Sequence, residues 1–372
     1  MTVDLANPAA PGAVHPAYGP PLAASAAPAE RFDVALLDLD GVVYRGEGAV
    51  PHAAEAIGAA GKDGMRAAYV TNNALRTPEA VADRLVRFGV PARAEDVITS
   101  AQAAAHVLRE RLPAGAAVLV LGGEGLRAAV TAEGLRPVTS ADDEPSAVVQ
   151  GFDPELTYAR LAEGALAVRA GARWVASNAD LTVPTERGIA PGNGSLVAMI
   201  RAATGAEPLV AGKPEPAMHA ESVRRSRAQR PIIVGDRLDT DIEAGTRSGT
   251  PTLLVLTGVT DGSELLAAGP ASRPTLLAAD LRGLLRPHPA ADREPDGTAH
   301  CGAWTCQVDA EGTLRWHQSL APGGSRRDGG PPDDGLDALR AACQAAWAAS
   351  DAGRPARRLA DDRPSSCADL TV

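Results

Sequence analysis

From Phe32 onward, short unbroken apolar runs alternate with longer segments whose apolar residues recur at helical spacing, and few architectures accommodate that pattern. A run such as Val34–Leu37 or Pro231–Val234 offers no polar side to water, so it needs cover on both faces. A doubly wound parallel sheet between helical layers supplies that cover, which makes the expected class α/β. Val34–Leu37 ends at Asp38. A helix over about Pro51–Ala60 leads to a second strand, Arg66–Val70, which runs into Thr71-Asn72-Asn73. Thr77 then offers an N-cap with Pro78 at the first helical position, and Gly89 closes that helix. Further on, Pro231–Val234 is followed by Gly235-Asp236, a helix from about Asp239 and the strand Thr252–Leu256.

Between these pieces lies a separate series of strand and helix patterns: Ala116–Leu121, Leu126–Glu133, Ala147–Gln150, Thr157–Ala170, Arg173–Ser177 and Leu196–Thr204. Residues 101–205 are therefore expected to form an α/β cap domain inserted into a core of residues 31–100 and 206–286. Residues 1–30, rich in Ala and Pro, read as a disordered tail without the basic start and apolar run of a secretion signal. Pro287–Gly297 reads as a linker. In residues 299–350, Trp304, Cys306 and Val308 alternate along one strand and Leu314 and Trp316 along another, while Leu336, Leu339, Cys343 and Trp347 share a helical face. So small an α+β module cannot bury a core alone and is expected to dock on the rest. Residues 351–372 are expected to be disordered.

A formal charge of -10 opposes binding to nucleic acid phosphates or anionic membranes, so neither is an expected partner. No stretch approaches the roughly 18 apolar residues that span a bilayer. The four cysteines, Cys301, Cys306, Cys343 and Cys367, all fall late in the chain, which fits free thiols in a cytoplasmic protein. His300, Cys301, Cys306 and His317 match no common zinc spacing.

The chemistry concentrates where strands end. Asp38-Leu39-Asp40-Gly41 follows a buried strand, at the edge where open parallel sheets bind ligands. In extended chain, residues two apart share a side, so both carboxylates face one space. An ionised Asp38 can attack phosphorus and form an acyl phosphate. Asp40 must then carry a proton to a leaving alcohol, and a neighbouring carboxylate together with burial favours its protonated form. Thr71-Asn72 offers a hydroxyl and backbone N–H groups to phosphoryl oxygens. Lys213, one of only two lysines beside Lys62, stands in a Gly-Lys-Pro loop where a compact ammonium can contact both a phosphoryl oxygen and the nucleophile. Hard carboxylate oxygens beside a phosphate imply magnesium. The ligands expected are Asp236, Asp38 and the main-chain carbonyl of Asp40, with Asp241 binding directly or through water and Asp239 serving as a helix cap.

Asp38-Leu-Asp-Gly-Val, Thr71-Asn-Asn, Gly212-Lys213-Pro214 and Gly235-Asp-Arg-Leu-Asp-Thr-Asp together resemble the four motifs of haloacid dehalogenase-like phosphatases. The segment between the second and third resembles the cap of subfamily IIA, the nitrophenylphosphatase and phosphoglycolate phosphatase group. The resemblance covers about Arg31–Leu285. It implies Asp38 as nucleophile, Asp40 as acid and base, Thr71 and Lys213 as phosphate clamps, Asp236 as metal ligand, and a small phosphorylated metabolite as substrate. It also implies that Asn178, Asp180 and Asn193, in Ser177–Asp180 and Pro191–Ser195, face the substrate; from the residues alone these segments read equally as turns. Family likeness adds a homodimer through the cap. The tail from about His300 loosely resembles an extension of actinobacterial glycerol 3-phosphate phosphatases, which makes glycerol 3-phosphate the expected substrate. Phosphoglycolate, nucleotides and sugar phosphates are the alternatives within the class, and a non-catalytic phosphometabolite sensor is the alternative outside it.

Overall fold

The computed structural model describes residues 26–185, 187–318 and 334–372. They form two compact units. One comprises residues up to Asp33, Asp40–Met65 and Ile232–Val372; the other comprises Val34–Leu39 and Arg66–Pro231.

In the second unit, Val34–Leu37 pairs in parallel with Arg66–Thr71, which pairs in parallel with Val97–Thr99. All four residues of Val34–Leu37 are buried, as a strand covered on both faces requires. A further five-stranded parallel sheet runs in the order Leu209–Val210, Arg173–Ala176, Ala147–Gln150, Ala117–Leu121, Arg136–Val138. Leu119, Leu121, Val148, Trp174 and Ile200 centre its core. Thr157 caps the helix Tyr158–Arg169 through the Arg160 N–H, and Thr77 caps Pro78–Arg87 through the Ala80 N–H. The antiparallel hairpin of Thr182–Thr185 and Gly188–Pro191 follows the Ser177–Asp180 loop. Residue 186 lies outside the described residues.

In the first unit, Pro231–Gly235, Thr252–Val255 and Leu276–Ala278 are parallel neighbours. The C-terminal segment forms a five-stranded sheet on which the helix Asp337–Asp351 packs. Its expected strands and helix lie where the alternation and helical spacing put them, at Trp304–Val308, Thr313–Gln318 and Asp337–Asp351. One apolar cluster runs from Leu254, Leu265 and Leu277 through Cys306 and Trp316 to Trp347, so the module shares its core with the strands before it. Polar contacts fix the join. Trp347 Nε1 donates to the Leu265 carbonyl at 3.0 Å, and the buried Arg340 donates to the Leu277 carbonyl at 2.6 Å and to Asp334 and Asp337.

Three expectations about order are corrected. Pro287–Gly297 is not a free linker: His288 is 3% exposed, its ring nitrogens face the Leu277 and Gly283 carbonyls, and Asp292–Arg293 adds a strand to the sheet. Residues 351–372 are not disordered, because Arg358–Leu359 pairs with Thr313–Leu314 while Cys367 and Leu370 are buried. Of residues 1–30, the first 25 lie outside the described residues, and Pro28–Arg31 forms a helical turn with Pro28 and Ala29 buried.

Candidate active site

The strand Val34–Leu37 delivers Asp38 at its C-terminal end, with the next side chain, Leu39, fully buried. Lys213 forms an ion pair with Asp38, the two side chains being 8% and 12% exposed. The Lys213 ammonium also donates to the Val70 carbonyl at 3.2 Å, on the neighbouring parallel strand. The Asp38 carboxylate is thereby held against a cation, yet kept partly open. Thr71 is 4% exposed, and its hydroxyl oxygen accepts from the Asn73 N–H at 3.1 Å, which leaves the hydroxyl proton as a donor. Asn72 turns its side chain to the Lys213 backbone: Oδ1 accepts from the Lys213 N–H at 2.8 Å and Nδ2 donates to the Lys213 carbonyl at 3.2 Å. Asn178 and Asn193 are buried, and Asp180 lies within 3.4 Å of the Asn72 amide nitrogen.

In the other unit, Asp236 follows its strand fully buried and Asp241 is 1% exposed. Asp236 Oδ2 accepts from the Val259 N–H at 2.7 Å, and the Asp236 carbonyl accepts from the Thr260 N–H at 3.1 Å. Asp241 lies in the π-helical turn Leu238–Ile242, where Oδ2 accepts from the Arg237 N–H at 3.3 Å. Such turns recur at functional sites because they re-aim side chains within a helix. Asp239 is not the expected cap; it is exposed and pairs with Arg237. Asp40 is exposed, so burial does not supply the reason for protonation that the sequence offered. Gly41 adopts φ +84, a left-handed turn that the absence of a Cβ makes easy.

The loop Thr257–Thr260 went unnoticed in the sequence. Besides holding Asp236, it donates the Thr257 hydroxyl to the Gly41 carbonyl at 2.6 Å, and its Gly258 carbonyl accepts from Arg45 of the Tyr44–Ala49 hairpin at 2.6 Å. A Cβ at Gly258 would stand 1.6 Å from Asp236 Oδ2. Only its place just after a strand, like Asp38 and Asp236, could have drawn attention to it.

A family model described as haloacid dehalogenase-like hydrolase matches residues 35–136, and a HAD-hydrolase-like model matches residues 210–284. The D-glycerol 3-phosphate phosphatase of Mycobacterium tuberculosis is 43% identical over 91% of this chain and 94% of its own length. The chain belongs to the haloacid dehalogenase-like hydrolases. Among solved structures of the family, the glycerol phosphate phosphatase of M. tuberculosis in complex with magnesium superposes with a TM-score of 0.80 at 41% identity, over 92% of this chain and 98% of that one. A thermostable NPPase from Geobacillus stearothermophilus covers 68% of this chain and 98% of its own, with a TM-score of 0.62 at 36% identity. An acid sugar phosphatase of Staphylococcus saprophyticus is 39% identical over 63% of this chain and 91% of its own length. Within the haloacid dehalogenase-like hydrolases the chain is a phosphomonoester hydrolase on a parallel-sheet α/β core, with an additional β-rich C-terminal module. Among the described residues no helix is long and apolar enough to cross a membrane.

Proposed function

We propose that this chain is a magnesium-dependent phosphatase of glycerol 3-phosphate, working through an aspartyl phosphate on Asp38. The observation that carries the reading is the end of the buried strand Val34–Leu37, where Asp38 is paired with Lys213 and the same ammonium bonds the carbonyl just before Thr71. In the other unit Asp236 and Asp241 are both buried, and buried carboxylates five residues apart after one strand favour a divalent cation beside them. All-oxygen donors suit magnesium, with Asp38, Asp236, Asp241 and the Asp40 carbonyl as its ligands. When bound, the ion cancels charge between the carboxylate and the phosphate dianion.

The chain's own groups carry the bond changes. Asp38 attacks phosphorus as the ester P–O bond breaks, and Asp40 gives its proton to the departing alcohol oxygen. Asp40 then takes a proton from water, whose oxygen attacks phosphorus and breaks the bond to Asp38. The Thr71 hydroxyl and Lys213 ammonium hold the phosphoryl oxygens and stabilise charge on them. The inserted segment acts as a cap, and a homodimer through it is part of the same reading, as is a cytoplasmic setting for four free thiols.

Glycerol 3-phosphate is favoured because the likeness to the M. tuberculosis phosphatase runs through nearly the whole chain, extension included, whereas the acid sugar phosphatase matches 63% of it. A panel of glycerol 3-phosphate, phosphoglycolate, nucleoside monophosphates and sugar phosphates with magnesium tests this. The highest kcat/KM should fall on glycerol 3-phosphate; a preference above tenfold for another ester would reassign the substrate. Binding without turnover across the whole panel would leave only the sensor reading.

A further inference from the structure

Of the three cap residues expected to face a substrate, Asn193 and Asn178 bond backbone carbonyls, and Asp180 faces the Asn72 side-chain amide. Asn193, 1% exposed, donates through Nδ2 to the Asn178 carbonyl at 2.7 Å. Asn178, 4% exposed, donates through Nδ2 to the Asn72 carbonyl at 2.8 Å, while its Oδ1 accepts from the Asp180 N–H at 3.2 Å. Ser100 donates to the same Asn72 carbonyl at 2.7 Å. The Asn72 amide brackets Lys213 by bonding both its N–H and its carbonyl, and Nδ2 also faces the Asp180 carboxylate at 3.4 Å and 3.5 Å. Lys213 in turn reaches Asp38.

This chain of contacts leaves no room for slack. A Cβ on Gly212, the residue before Lys213, would sit 2.4 Å from the Ser177 carbonyl oxygen and 2.6 Å from Asn72 Oδ1. The two loops meet at backbone distance, and Gly212 is what permits it. An amide that satisfies both polar groups of one peptide residue fixes its position and orientation together. For a lysine with several rotatable bonds, that anchoring decides where the ammonium can reach.

We propose that Asn72 is a positioning residue for Lys213, and that Asn193 and Asn178 make the cap segment part of the same support, so that cap residues tune phosphoryl transfer as well as substrate choice. The proposal rests on the phosphatase reading for its kinetic arm. Asn72 is then not a phosphate ligand through its side chain, and Asp180 acts as the acceptor that orients the Asn72 amide.

The test combines turnover with a signal that needs none. Lysine labelled with ¹³C at Cε gives two resonances, from Lys213 and from the exposed Lys62, which serves as internal reference. Asn72→Ala should move the Lys213 resonance and leave that of Lys62 in place. With p-nitrophenyl phosphate and magnesium, kcat should fall about 10- to 100-fold with KM changed less than about threefold, as for a misplaced catalytic group. Asn72→Asp should lose at least as much, and adding Asp180→Asn should recover part of it, since a donor would again face an acceptor. If Asn72→Ala does not fold, Asn193→Asp carries the same test from the far end of the chain of contacts. A rise in KM at constant kcat with the Lys213 resonance unmoved would overturn the proposal in favour of a phosphate ligand. Should the wild type hydrolyse no ester, the phosphatase reading fails while the resonance still decides whether Asn72 positions Lys213.

Discussion

Asp236 is held by a peptide N–H from Val259 and pressed by the Cα of Gly258, so its aim depends on a residue without a side chain. Any Cβ at Gly258 would stand well inside van der Waals contact of the Asp236 carboxylate, and the carboxylate, the loop or both must move. Gly258→Ala is therefore expected to raise the magnesium concentration needed for half-maximal turnover by at least tenfold, in the range seen when supports of a metal ligand are removed. A titration of activity against magnesium, with circular dichroism to confirm folding, measures it; an unchanged midpoint would show that Asp236 tolerates the shift. The same contrast explains what could be read beforehand. Asp38, Thr71, Lys213 and Asp236 were legible because an apolar run or a domain junction stops at each, and a reactive side chain follows. Gly258 and Val259 act through backbone, which leaves no residue-type signature. Asn72 was recognised, but its amide bonds Lys213 rather than standing free, and only the fold brings positions 72 and 213 together.

Elements followed the apolar pattern wherever burial is apolar. Val34–Leu37 and Ala147–Gln150 lie where their runs of buried residues put them. The helix Pro216–Ser226 escaped notice because its buried positions include Glu221, Ser222 and Ser226 beside Met218, so no apolar stripe marks it. The final segment escaped for a related reason: Ala360, Cys367 and Leu370 anchor it too far apart to form a period. Helix Asp337–Asp351 carries the opposite risk. Arg340 and Asp337 are each 1% exposed, and the guanidinium also holds Asp334 and the Leu277 carbonyl. Burial holds His288 below its ordinary pKa, with the charge of Arg340 pushing the same way, so the guanidinium is the cation of this join at neutral pH. Arg340→Ala would strand a buried carboxylate, at a cost of about 3–5 kcal/mol. Urea unfolding should show that loss; a stability within about 1 kcal/mol of wild type would mean that the pair is dispensable.

At the scale of the molecule, a net charge of -10 sets the surrounding field against a phosphate dianion. Capture of the substrate must then come from local positive charge, the Lys213 ammonium and bound magnesium. The extent of kinship fits this division of labour: NPPase covers 68% of the chain, while the M. tuberculosis phosphatase covers 92%. Chemistry belongs to the part shared with both, and the C-terminal module belongs to the longer likeness. In the proposed mechanism Asp38 bears the phosphoryl group during turnover. Acid quenching of the magnesium-loaded enzyme milliseconds after mixing with ³²P-labelled glycerol 3-phosphate tests it most directly. Wild type should yield protein-bound label on the peptide containing Asp38, and Asp38→Asn should yield neither label nor phosphate. Release of phosphate by Asp38→Asn at the wild-type rate would contradict the account.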